Sequence, residues 1–174
     1  FSAPQVKTDR PMIEIADTAR VSPLADIEES VRGTRIVVGD HAIIDSFVKV
    51  KPAGGAGDLL IGPRTVINSG CVLYTGNGIT IGADCAVAAN CTFAPTNHNY
   101  ISRDIPFNRQ GFLPSRGGIV IEDDVWIGAN CVLLDGTVIR RGAVIGAGSL
   151  VRGEVEAYTI VAGNPLRRIG RRGN

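Results

Sequence analysis

The sequence is poor in the residues that mark most functional classes. Aromatic residues fill 5% of its 174 positions, with one tryptophan, one methionine and two histidines. The net charge is +1, so no basic field draws nucleic acid and no acidic tail suggests a solvating segment. No apolar run reaches the roughly 18 residues that a membrane-spanning helix needs. No secretory leader is visible. The four cysteines, Cys71, Cys85, Cys91 and Cys131, lack the close CxxC or CxxH pairs of a zinc site, and no metal is expected. Reduced thiols without a leader point to the cytoplasm.

What is plentiful is small and aliphatic. There are 22 glycines, and hydrophobic residues make up 44% against 20% charged. That balance fits one folded domain with frequent tight turns and a core of small and β-branched residues. Residues Phe1 to Pro11, with their prolines and charges, read as a flexible leader.

A six-residue period organises the rest. Aliphatic residues or Phe recur at Val21 and Ile27, then at Val38, Ile44 and Val50, then at Ile61, Ile67 and Leu73. The series continues through Ile81, Val87 and Phe93, and through Ile121, Ile127, Leu133, Ile139, Ile145 and Val151. The fourth residue after each is mostly small or β-branched: Ala25, Val31, Ala42, Val48, Thr65, Cys71, Cys85, Cys91, then Val125, Cys131, Thr137, Ala143, Ser149 and Val155. Glycine often follows the aliphatic directly, as at Gly39, Gly62, Gly82, Gly128 and Gly146. Such a period suits neither a helix at 3.6 nor simple strand alternation at 2. It suits a short strand followed by a tight corner. Three units close a triangular coil, and stacked coils pair their strands in parallel around an aliphatic column.

The period breaks at Lys51–Asp58, at Gly76–Gly78 and from Ala94 to Gly118. The last break is a long excursion rich in Pro, Asn and Arg. Loops of that length in a compact repeat domain are usually functional. The expected organisation is an all-β parallel helix of about six coils over residues 12–153, carrying an excursion at 94–118. Residues 154–174 then form a C-terminal cap and basic tail. The cysteines all fall on small-residue positions of the repeat, so they are expected to be buried packing residues, not nucleophiles.

Three segments carry a resemblance to a known family: IGADCAVAANCTFAPTNHNY (Ile81–Tyr100), IPFNRQG (Ile105–Gly111) and IVIEDDVWIGANCVLLDGTVIRRGAVIGAGSLV (Ile119–Val151). With the tail VAGNPLRRIG (Val161–Gly170), the chain resembles hexapeptide-repeat acyltransferases of the galactoside/maltose O-acetyltransferase and xenobiotic acetyltransferase type. It looks especially like the sugar O-acetyltransferases of bacterial surface-polysaccharide clusters. The resemblance covers about residues 20 to 170. It implies a left-handed coil, against the usual hand of parallel crossovers, and a homotrimer with active sites between subunits. It also implies acetyl-CoA as co-substrate.

Acyl transfer from a thioester needs a base that works near neutral pH, and imidazole suits that task. His98, in TNHNY of the excursion, matches the family's base. His41 sits in a corner and reads as an exposed turn residue. Asn90 matches a family asparagine that binds the acceptor, and equally reads as a turn asparagine in left-handed backbone. Asp104 and Phe107 are candidates for the acceptor site, or residues that simply fold the loop. Gly128, Ala129 and Ala147 are small corner residues that permit close backbone approach. Ala129 and Ala147 match family positions along the pantetheine arm, and Trp126 flanks the same groove. Arg167 matches a basic residue near the CoA phosphates, and Arg168 extends that cluster. Arg152 replaces a small hydroxyl residue near the adenine. The oxyanion donor is expected from a corner near Trp126–Ala129.

The reading is therefore acetylation of a hydroxyl or amine on a sugar, sugar nucleotide or surface glycan. Acylation of an antibiotic uses the same chemistry on another acceptor. A β-helix metalloenzyme of the carbonic anhydrase type would need three histidine ligands, and only two histidines exist. A non-catalytic β-helix scaffold would not need the His98 loop, Trp126 and the basic tail together.

Overall fold

Short aliphatic strands separated by corners build a three-sided column. The computed structural model describes residues 12–173. Residues 1–11, expected to be a leader, lie outside the described residues. A representative coil runs Leu59–Ile61, Val66–Ile67 and Val72–Tyr74, one strand on each face. Stacking yields a first face of seven strands and a third face of six. The second face has eight strands, the last of them reversed. Apart from that one, every strand pairs in parallel with its counterpart one coil away, as in Val38 with Ile61 and Ile81 with Ile121. The only helical turn among the described residues is Phe107–Arg109, out in the excursion.

The register confirms the aliphatic column and extends it. Ile15 lies level with Val38 and opens the first coil. Val161 lies level with Ile145 and closes the stack. Ile44, Ile67, Val87, Ile127 and Ile145 are all 0–1% exposed on the second face. Burying each such side chain contributes roughly 1.5–3 kcal/mol. The thiols fill the corners beneath them. Cys71, Cys91 and Cys131 donate to the carbonyls of Ala88, Gly128 and Gly146, each at 3.2 Å. All four cysteines are free and buried.

Two of the three corners are tight and repeat one geometry. From the second coil on, the third residue after each column aliphatic at these corners takes a left-handed backbone, as at His41 (φ 57°), Asp84 (φ 58°), Asn90 (φ 61°) and Asn130 (φ 58°). Asparagine and aspartate tolerate this region. Phe47, Arg64 and Tyr158 hold it too, because pairing above and below fixes the corner. His41 is an exposed turn residue, as expected.

The third corner, from the third face back to the first, is wide. Residues 28–35, 52–58, 75–78 and 95–118 all bulge there. Val31 falls in the first of these bulges and is 98% exposed. It is therefore not the inward small residue that the period suggested, because the step across this corner from Ile27 to Val38 is longer than six. Val155 also departs from expectation. It pairs with Ile139 and so occupies the aliphatic column itself, since the connection at 152–153 is short. After Thr159–Ala162 the chain turns back, and Arg167–Arg171 runs antiparallel to it. Arg172 ties this strand to Asp124 at 2.8 Å.

Candidate active site

The excursion leaves the wide corner as two arms that pair with each other. Asn99 N donates to Gly111 O at 3.0 Å, and Leu113 N to Asn97 O at 2.8 Å. This antiparallel pairing places His98 opposite Phe112. Their rings lie 4.7 Å apart at 38°. Beside them opens a pocket of about 270 Å³ lined by Ala53, Gly54, Tyr74, Ala94, Thr96, His98 and Phe112. Gly54 is needed there: its φ is +82°, and a Cβ would come 2.8 Å from Thr96 Oγ1. The imidazole thus stands at the lip of a small cavity with a phenol, a hydroxyl and an apolar ring around it.

Asp104 and Phe107 sit farther out. They line a separate cavity of about 420 Å³ with Tyr100, Ser102, Arg103 and Ile105. Gln110 braces that lobe through Ser102 and Ile105. Neither residue lines the His98 pocket.

A third cavity, about 470 Å³, lies lower on the third face. Its walls are Leu134, Leu150, Arg152, Asn164, Leu166 and Arg167. Arg152 and Arg167 form no ion pair among the described residues; Arg167 Nη1 donates to Leu166 O at 3.2 Å, and its other donors can meet an anion. Leu134 is level with Ala94 of the His98 pocket, so the two cavities share one face of the column. Arg168 lies on the reversed strand level with Val161 and outside this cavity's lining.

Trp126, Gly128, Ala129, Asn90 and Ala147 gather elsewhere. Trp126 projects from the second face, 56% exposed. The others stack along the tight corner between the second and third faces. A Cβ on Gly128 would come 2.5 Å from Ala147 N, so corner stacking itself demands glycine. The amides of Gly128 and Asn130 are spent on Ile145 O and Ala89 O. Those of Ala129 and Ala147 have no protein partner among the described residues. Within one chain this corner and the His98 arm are different edges of the prism.

Burial of all four cysteines keeps them from a substrate, although hydrogen bonding with Cys91 pushes the Cys71 thiol down from its ordinary range. Burial pushes the Cys85 thiol up, and hydrogen bonding to Cys91 together with burial pushes Cys131 up. The thiolate is the nucleophilic form, so both are inert near neutral pH. Sequence reasoning did not single out Tyr74, Thr96 and Phe112. Thr96 is two residues from His98 along the chain, whereas only the folding of the excursion onto the column brings Tyr74 and Phe112 to it.

Comparison with known proteins agrees with this architecture. Residues 118–153 match the bacterial transferase hexapeptide family (six repeats), and residues 59–92 match the hexapeptide repeat of succinyl-transferase. An Escherichia coli K12 protein described as a lipopolysaccharide-biosynthesis O-acetyl transferase is 30% identical over 122 residues, 67% of this chain and 62% of that protein. A chloramphenicol acetyltransferase from Agrobacterium fabrum is 30% identical over 156 residues, 84% of this chain and 72% of that protein. The chain spans 62% and 63% of the first two relatives it matches. Among solved structures, a Vibrio cholerae hexapeptide-repeat acetyltransferase complexed with acetyl-CoA is 27% identical. It superposes with a TM-score of 0.62 over 79% of this chain and 71% of that one. The coil is the left-handed parallel β-helix of these proteins.

Proposed function

This chain belongs to the hexapeptide-repeat acyltransferases, and from that premise we propose that it acetylates a hydroxyl, or an amine, of a sugar, sugar nucleotide or surface glycan with acetyl-CoA as donor. The observation that carries the reading is His98, held on paired arms at the lip of the 270 Å³ pocket.

In this reading His98 takes the proton from the acceptor as the acceptor oxygen attacks the thioester carbonyl. The carbon–sulfur bond then breaks, and the CoA thiol leaves with a proton returned from the imidazolium. A corner amide without a protein partner, Ala129 N–H, meets the developing oxyanion. Ala147 N–H is the equivalent donor one coil on, placed to hold the pantetheine arm beside Trp126 and Gly128. Arg152 and Arg167, with Arg168 nearby, supply cations for the phosphates. Residues 12–153, Arg152 included, carry the site, and 154–174 finish the column through Val155 and Val161 and then supply the cap with Arg167 and Arg168. Asn90, Asp104 and Phe107 are acceptor-side candidates.

One chain does not bring these groups together, since the His98 arm and the Ala129 corner lie on different edges. A homotrimer around an axis parallel to the column solves this, with the wide corner of one subunit beside the tight corner of the next. A cytoplasmic location suits four free cysteines. The likeness to a chloramphenicol acetyltransferase favours a second reading, in which the acceptor is an antibiotic.

The test is CoA release from acetyl-CoA across a panel of sugars, sugar nucleotides and antibiotics. Acceptor-dependent release should fall roughly 10²- to 10⁴-fold in His98→Ala. A chain that neither releases CoA nor binds acetyl-CoA would be a scaffold instead.

A further inference from the structure

We infer that Asp135 is the positioning residue that fixes the arm carrying Phe112 against His98, an inference that rests on reading His98 as the base. Asp135 ends the strand Val132–Leu134 at the wide corner and is 5% exposed. No cation pairs with it among the described residues. Its carboxylate is instead satisfied by the foot of the excursion's return arm. Arg116 N donates to Oδ2 at 2.8 Å and Gly118 N to Oδ1 at 2.9 Å. A buried carboxylate held this way is costly to disturb, since removing it orphans two amide donors.

Gly136 completes the anchor. Its amide donates to Gly118 O at 2.7 Å. Its φ is +83°, and a Cβ would lie 2.9 Å from Arg116 Cβ. The Asp135–Gly136 corner therefore grips the return arm through three hydrogen bonds and a close backbone approach. From that foot the arm reaches Leu113 and Phe112, which pair with Asn97 and His98. The outgoing arm is pinned independently, where Thr96 packs against Gly54 and Gly76. Asp135 thus sets the position of one arm relative to the other, and with it the orientation of the imidazole. It also adjoins Leu134 of the Arg152–Arg167 cavity, so the anchor links the base to the face that would carry the acyl donor.

The experiment compares the full chain with Asp135→Asn and Gly136→Ala. Amide exchange read by mass spectrometry should rise about tenfold in residues 97–113 of both variants, while residues 59–92 stay as protected as before. With a working acceptor, kcat should fall roughly 10- to 100-fold while KM for acetyl-CoA holds. Unchanged exchange at 97–113, or faster exchange spread through all coils, would overturn the inference. Exchange needs no substrate, so the two readings fail separately. An active His98→Ala enzyme would remove the base assignment, and the exchange of the 97–113 segment would still decide the anchor.

Discussion

The two kinds of corner in this molecule divide its labour. At the tight corners the step from one column residue to the next never varies, from Ile15 through Val21 to Ile27 and again from Ile139 through Ile145 to Val151. At the wide corner it varies in nearly every coil, from the short link between Val151 and Val155 to the excursion between Phe93 and Ile121. Tight corners bury thiols and hydroxyls against the carbonyls of neighbouring coils. The wide corner carries the imidazole, its pocket and the carboxylate that anchors the arm. Regularity on two edges leaves the third free to bulge, because each face is already paired above and below.

That contrast is open to attack at several strengths. Two glycines inserted between Ala89 and Asn90 should prevent folding, since they displace Cys91 and Phe93 from the stack. The same pair inserted after Gly33, where a Cβ meets nothing within 4 Å, should cost less than about 1 kcal/mol of loop entropy. Thermal unfolding followed by circular dichroism separates the two outcomes. Next in size, Ile67→Ala should cost about 2–5 kcal/mol and leave kcat of the folded enzyme unchanged. Phe112→Ala, 45% exposed, should do the reverse, lowering kcat with little loss in denaturant midpoint. Arg152→Ala and Arg167→Ala sit between the regions. Each should raise KM for acetyl-CoA roughly 10- to 100-fold, as expected for losing a charge-assisted bond of about 1.5–3 kcal/mol, with kcat held. The smallest effect is chemical. At pH 8 the four thiols should react slowly with a disulfide reagent in the native protein and fully once it is denatured. A rapidly reacting native thiol would place a cysteine outside the column.

The column was legible in the sequence because its signal is local and repeated. Ile44, Ile67 and Val87 announce one another by spacing, and their burial follows. The errors cluster where the spacing lapses. Extending the period across the wide corner turns Val31 inward and puts Val155 in a small-residue slot, and the structure does neither. Ile15 and Val161 carry no such signal, because too few neighbours remain at the ends to define a phase. His98 stood out because histidine is rare here and the loop is long. Its surroundings did not. Tyr74 and Phe112 lie far from it along the chain and follow no period, and Asp135 looks like any residue before a turn glycine. Contacts between an excursion and the column depend on where the loop lands, which no repeat encodes.

The reversed strand Arg167–Arg171 has a consequence for how molecules meet end to end. A stack of parallel strands finishes in an open edge, ready to accept another coil from a second molecule and so to grow into a fibre. Here the last parallel strand of the second face is already occupied by a strand of opposite direction, and four of its five residues are exposed. Three of those five are arginines. A further coil arriving in the native direction meets a strand of the opposite direction, with mismatched hydrogen-bond spacing, so the column ends by design of its own edge.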